Sequence, residues 1–281
     1  MIYLTKFNQF VRSHILYFQL SALLCHFSVL YFLISGDRKL SDFFIIISAA
    51  ILFELAVSYL FERKWISPVS GAIAMMGLYL HIQTRYVIWP YIFGVLVASL
   101  SKKIIRINDK QVFNPSNLAI MIIVLCMSDL AFVNLSQWYG FAPLFIYFLA
   151  VGSFITFYAN KIILSYSYLM TIITLRYLMS YFVDLPVGYL VGTAVAFNNY
   201  VFAFHMITDP KTSPSSWRGQ IAFGIFIAFL DFIFRYMEIV FAPFLALFIA
   251  CALRALIPSE YFEIKNLKKF ISFTGLQKSA S

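Results

Sequence analysis

Apolar runs of roughly the length that a bilayer core demands, about 20 residues each, alternate with short polar links from residue 15 to residue 257. The runs are apolar on every face, which predicts helices surrounded by lipid or protein. They divide into about ten segments: Ile15–Ser35, Asp42–Phe61, Ser67–Ile82, Val87–Lys102, Asn117–Val133, Trp138–Ala159, Ile163–Phe182, Gly188–Ile207, Gln220–Met237 and Ile239–Ile257. The third is short and opens on Ser67-Pro68, so a full crossing and a re-entrant segment both stay open there, and the count changes with it. The expected fold is an all-α polytopic membrane helix bundle. It forms a single integral membrane domain over residues 1–260, with a basic cytoplasmic tail over 261–281.

Composition agrees with the pattern. Hydrophobic residues make up 62% of the chain and charged residues 12%, and the mean hydropathy is +0.85, values outside the soluble globular range. Cytoplasmic links of membrane proteins collect Lys and Arg. With ten crossings, Arg38, Lys39, Arg85, Arg176 and Arg235 face one side, and the other 16 of the 21 basic residues face the opposite one. That asymmetry predicts both termini in the cytoplasm of a cell with the protein in its inner (plasma) membrane, and it accounts for the net charge of +9 through lipid, with no nucleic acid partner. Lys6 and Arg12 precede the first apolar run as in a signal peptide, but no small-residue cleavage site follows, so this run reads as a retained helix.

Several chemistries are set aside at this level. Cys25, Cys126 and Cys251 fall in separate apolar runs without C-x-x-C spacing, which points to no metal centre. No glycine-rich phosphate loop, G-x-S-x-G elbow or H-E-x-x-H occurs, so self-contained hydrolytic or nucleotide-driven chemistry is not expected. His26, His81 and His205 in or near the runs raise a haem reading. They do not recur as pairs on one helix face, which favours interhelical hydrogen bonds instead.

Ionisable groups at membrane depth are costly unless paired or facing a cavity. Glu54 lies mid-run with no local partner, Arg176 interrupts the seventh run, and Asn198, Asn199 and His205 lie in the eighth. Asp231 and Arg235 stand at i,i+4 and read first as an ion pair that holds helices together.

Two polar links each carry an Asx-Pro pair, "VFNPSNLAI" and "MITDPKTSPSSWRG", 95 residues apart at Asn114 and Asp209. In the first, Asn114 suits a helix N-cap with Pro115 in the first turn, followed by Ser116 and Asn117. In the second, Asp209-Pro210 and Ser213-Pro214 offer two such starts before Gln220. The N–H groups of such turns attract anions, with Lys211 and Arg218 adding positive charge. Simple capping is the competing account.

Together the two links resemble the RnfD/NqrB-type family, the integral membrane subunits of Rnf electron transport complexes and of sodium-translocating NADH:quinone reductase. "SPVSGAIAMMGLYL" and the apolar helix pair after the second link also fit, and the likeness is to the shorter, stand-alone RnfD-like members. The resemblance implies a bundle similar in fold to urea and ammonium transporters, working with other electron-transport subunits in redox-driven ion translocation. It implies a flavin or ion site at Asn114, Ser116, Asn117, Thr208, Asp209, Lys211, Thr212 and Ser213, with a purely fold-building role for these residues as the alternative. The Ser-Gly-Ala-Thr motif that carries covalent FMN in the family is missing; Thr171, Thr174 and Thr193 lack its small-residue context. The expectation is therefore a non-covalent flavin, FMN or riboflavin. A solute or flavin transporter or channel without redox chemistry, and a membrane accessory of a biosynthetic pathway, are the alternatives.

Overall fold

A computed structural model describes residues 2–29, 31–32, 39–85, 87–133 and 142–256. The tail over 261–281 and the outer ends of the first, sixth and tenth expected runs lie outside the described residues. The described chain is predominantly helical: α1 (Ile2–Ser13), α2 (Ile15–Val29), α3 (Leu40–Glu62), α4 (Val69–His81), α5 (Trp89–Ile104), α6 (Pro115–Cys126), α7 (Ala142–Tyr158), α8 (Ile162–Met179), α9 (Val187–Ala194), α10 (Phe197–Val201), α11 (Trp217–Tyr236) and α12 (Ala242–Leu256). Among the described residues, four stretches are long and apolar enough to cross a membrane: α3, α8, α11 and the interrupted stretch Val187–Met206. Their outward faces carry exposed Phe44, Leu52, Met170, Tyr177, Ile225 and Phe229, apolar surface of the kind that lipid covers.

Three expected runs turn out to be interrupted. The run at Ser67–Ile82 is the 13-residue helix α4, about 20 Å long at the α-helical rise and too short for the roughly 30 Å core. Asn117–Val133 is not one helix: α6 ends at Cys126 and the chain continues as strand β4 (Ala131–Val133). The run Gly188–Ile207 divides into α9, α10 and a π-helical segment at Phe202–Met206.

The two short helices share a plan. α4 leads into β1 (Ile82–Thr84), and β1 pairs antiparallel with β4, Ile82 opposite Val133 and Thr84 opposite Ala131. The ladder pairs the N–H and C=O groups that each strand turns toward the other, part of what non-helical chain among membrane helices requires. A second small ladder, β2 (Arg106–Ile107) with β3 (Lys110–Gln111), closes the α5–α6 link. Its turn places Asn108 and Asp109 at φ 50° and 60°, a left-handed pair of the kind that two-residue hairpins need.

Small residues set the helix spacing. A Cβ at Gly71 would lie 2.8 Å from Glu54 Cβ and 3.0 Å from the Ala50 carbonyl, so α4 packs directly on α3. At Gly77 it would lie 2.8 Å from Ser116 Oγ, which seats α4 against the start of α6. The core at these crossings is closed by Met75, Met76, Leu78, Ile120 and Ile123, all fully buried.

Candidate functional site

Asn114 caps α6 as its sequence context predicts. Its Oδ1 accepts from the Asn117 N–H at 3.0 Å and from Ser116 Oγ at 2.8 Å. Its Nδ2 then donates to the Met206 carbonyl at 3.1 Å, across 92 residues of sequence, so the first Asx-Pro link is tied to the chain just before the second. That bond belongs to a set. A π-helical segment frees carbonyls from the usual i→i+4 ladder, and side chains around this one take them up: Ser165 Oγ donates to Ala203 O at 2.7 Å, Thr208 Oγ1 to Phe204 O at 2.7 Å, and Gln19 Nε2 reaches His205 O at 3.5 Å.

Asp209 does not cap a helix. It makes an Asx turn, Oδ1 accepting from the Lys211 N–H at 3.1 Å and Oδ2 from Thr212 Oγ1 at 3.2 Å, while its carbonyl accepts from Ser213 Oγ at 2.7 Å. The following helix, α11, starts at Trp217 with Ser216 as its cap, the hydroxyl accepting from the Gly219 N–H at 3.2 Å. Lys161, just before α8, fastens the loop from below by donating to the Ser213 and Pro214 carbonyls at 3.3 and 2.6 Å. Burial lowers the Lys161 ammonium to about 8 and raises the Asp209 carboxyl, the latter partly offset by the Lys211 N–H and charge. Desolvation disfavours the charged form in both cases.

Between these links lies a cavity of about 350 Å³. Asn114, Ser116, His205, Asp209 and Lys211 line it, together with Gln19, Ser70 and His81 and a majority of apolar side chains from α2, α4 and the π-helical segment. Of the residues singled out in the sequence, Asn117, Thr208, Thr212 and Ser213 do not line this cavity. Asn117 instead donates to the Phe244 carbonyl at 3.1 Å, and the hydroxyls of the other three serve the turn and the π-helical segment. Arg218 stacks over Trp217, 5.0 Å from its ring centre, and is not part of the lining.

Glu54, without a local partner in sequence, has one across the bundle. Lys102 Nζ donates to both carboxylate oxygens at 2.9 Å and to Ser70 Oγ at 2.9 Å, with both charged side chains buried. Ser70 thus joins this pair to the cavity wall. Lys102 stands in the last turn of α5, and its long stem turns inward from there.

Asn199, Asp231 and Arg235 form a separate network. Asp231 accepts from Arg235 Nε and from the Tyr168 hydroxyl, each at 2.7 Å, and Arg235 Nη2 donates to Asn199 Oδ1 at 2.9 Å. Asn199 Nδ2 in turn donates to the Thr193 and Ala194 carbonyls, both at 2.9 Å, at the end of α9. The network ties α8, α10 and α11 together as an ion pair with neutral supports. Asn198 is buried beside it on α10.

Behind the cavity wall, His205 pairs with His26, which does not line the cavity. His26 Nε2 and His205 Nε2 lie 3.1 Å apart, and His26 Nδ1 lies 3.0 Å from the Tyr147 hydroxyl. Both distances are within hydrogen-bond reach. Among the described residues no group of three His, Cys, Asp or Glu side chains suits a metal ion. Tyr147, Gln19 and Ser70 carried no signal in the sequence, since each is an ordinary residue within an apolar run. No known protein-family model matches the chain, and no curated protein matches it either.

Proposed function

We propose that the chain is an integral membrane subunit of a redox-driven, ion-translocating electron transport complex of the Rnf and sodium-translocating NADH:quinone reductase kind, and that its cavity holds a flavin without a covalent bond. The observation that carries this reading is the convergence of the two Asx-Pro links, on which the family resemblance rests, upon one cavity. A volume of about 350 Å³ falls at the small end of ligand sites, about 300–1,000 Å³, and suits one ring system better than a dinucleotide. Its apolar walls fit the flat face of an isoalloxazine. Asn114, Ser116 and Gln19 offer hydrogen bonds to a polar edge, and exposed Lys211 offers a charge to a phosphate or ribityl chain. Thr171, Thr174 and Thr193 do not line the cavity, and the Thr193 hydroxyl already donates to the Leu190 carbonyl at 2.8 Å, in keeping with non-covalent binding. The fuller assembly belongs to the same proposal: ten crossings in a urea- and ammonium-transporter-like bundle, both termini cytoplasmic in the inner membrane, and partner subunits that supply the electrons.

The test is the visible absorbance and fluorescence spectrum of the purified protein before and after denaturation and filtration. Flavin that passes the filter supports the proposal. Flavin retained on the chain contradicts the non-covalent site, and a protein that neither carries flavin nor takes up riboflavin or FMN contradicts the whole reading. One observation favours a solute pathway as the second reading: a further cavity of about 200 Å³, lined by Arg12, Asn160 and Thr208, shares Ile15, Leu16, Gln19 and Pro210 with the first. Uptake of a small solute by liposomes without an electron donor would select that reading.

A further inference from the structure

We propose that the adjoining C-terminal ends of α3 and α5 bind the headgroup of an anionic phospholipid, with Arg63, Lys64, Lys103 and Arg106 taking the phosphate and Tyr59 and Trp65 set at the glycerol level. None of these residues lines the cavity, so the site is independent of the ligand held there. Its starting point is the end of a span. α3 is long and apolar enough to cross a membrane, and such a helix ends where hydrocarbon gives way to headgroups.

The local backbone builds an aromatic shelf at that end. Arg63 caps α3 at φ 55°, the left-handed conformation that glycine usually supplies at this position. Its N–H donates to the Tyr59 carbonyl at 3.0 Å. The reversal lays Trp65 against Tyr59, ring centres 5.0 Å apart and planes within 25° of parallel, and the Arg63 guanidinium lies 5.7 Å from the Tyr59 ring centre. Trp65 is nonetheless 71% exposed. A half-wrapped indole and phenol beside a basic group are the side chains that settle at the membrane–water boundary.

The charges around this shelf do not balance. Lys103, in the last turn of α5, pairs with Glu62 at the end of α3. Lys64 and Arg106 act on the same carboxylate through space, so one acid serves three basic side chains, and Arg63 adds a fourth beside it. Asp109 meets Arg106 through its backbone carbonyl. Arg63, Lys64 and Arg106 are exposed. Positive charge in excess of its protein partners is complementary to a phosphate, and Lys and Arg near a bilayer surface draw anionic lipid. Apolar side chains are interleaved with the cluster: Leu60, Phe61 and Ile104 are 66%, 53% and 61% exposed. Basic groups joined to bare apolar surface match an amphiphile, charge to the head and side chains to the acyl chains. Free phosphate would use only the charge, and a soluble acidic protein would have to cover Leu60 and Phe61 on a helix face suited to lipid.

The experiment uses the full chain with Trp89, Trp138 and Trp217 each changed to Phe, which leaves Trp65 alone of the four tryptophans. It is reconstituted in phosphatidylcholine bilayers that contain brominated phosphatidylglycerol or brominated phosphatidylcholine, and quenching of Trp65 is followed against mole fraction. Phosphatidylglycerol is expected to quench at the lower fraction. Arg63→Gly places glycine at a left-handed cap, so it is expected to keep or raise Tm while lowering the preference about fivefold. Lys64→Gln with Arg106→Gln is expected to lower it further, and Lys6→Gln on α1 to leave it unchanged. If the three-Phe protein does not fold, native mass spectrometry of phosphatidylglycerol and phosphatidylcholine retained by the unaltered chain and by the same charge variants gives the comparison. Equal quenching or retention of the two lipids overturns the proposal, as does a preference that ignores Arg63, Lys64 and Arg106. Displacement of the lipid by inorganic phosphate, at ionic strength matched with chloride, would show a free-anion site and overturns it equally.

Discussion

The Glu54–Lys102 pair makes a quantitative test of how this bundle handles buried charge. Both side chains are almost fully enclosed, and all three ammonium protons are used, two on the carboxylate and one on Ser70. Lys102→Met leaves a carboxylate with no counter-charge at the α3–α4 contact, where Gly71 already lets the backbone approach to within 3.0 Å of a Cβ position. Breaking a buried pair in this way costs about 3–5 kcal/mol, which corresponds to a loss of roughly 6–20 °C in Tm at about 2–4 °C per kcal/mol for a chain of this size. Glu54→Gln strands the ammonium and is expected to cost a similar amount. The double variant Glu54→Leu/Lys102→Met removes both charges and keeps the volume, and such replacements range from neutral to about 4 kcal/mol stabilising. Thermal unfolding of all four proteins in nanodiscs, followed by intrinsic fluorescence, gives the coupling directly. Single variants within about 1 kcal/mol of the native protein, or a double variant as unstable as the sum of the singles, would refute the argument.

Three further outcomes are expected. Gly77→Ala drives a methyl into Ser116 Oγ and is expected to destabilise by about 1–3 kcal/mol and to weaken riboflavin retention, whereas Gly188→Ala, with open space around its Cβ position, changes neither. Lys161 holds its proton less firmly in the folded chain, at about 8 against an ordinary 10.5; the unfolded chain binds more protons between these values, so this group makes stability rise with pH from about 8 to 10.5, and Lys161→Met is expected to flatten the Tm-against-pH curve in that window. Asp209→Asn relieves a carboxylate that burial disfavours and is expected to alter ligand affinity with little loss of Tm, while Asp231→Asn unpairs Arg235 and costs stability by about 3 kcal/mol or more; equal losses of folded protein in the two variants would show that Asp209 serves the fold alone.

The long helices were legible because α3, α8 and α11 are apolar around their whole circumference, a signal that needs only local sequence. The short elements were not. Hydropathy reads Asn117–Val133 as one run, since Ile, Val and Phe serve a helix and a strand equally well, and averaging over the run hides Ser128-Asp129, the polar pair that stands where α6 yields to β4. The cap at Asn114 was readable from Asn-Pro alone, but Asp209-Pro210, the same signature, makes an Asx turn because Lys211 and Thr212 turn back to its carboxylate before a helix begins. The candidate site was half visible: both links were identified, and their meeting through Asn114 and Met206 depends on a contact across 92 residues. The same holds for His26 with His205 and for Glu54 with Lys102, where each side chain stands alone in sequence and acquires its partner only when separate helices pack.

The β1–β4 ladder has a consequence for how the protein is made. Ile82–Thr84 and Ala131–Val133 leave the ribosome about 50 residues apart, and each presents unpaired N–H and C=O groups until the other arrives. In hydrocarbon each such group costs several kcal/mol, so neither α4 with its strand nor α6 with its strand is a stable guest of the bilayer by itself. The two must enter lipid as one four-element package, with α5 already beside them. In a bilayer, the pairing is therefore expected to delay release of these elements into lipid until residue 133 has emerged, in place of independent helices released one at a time.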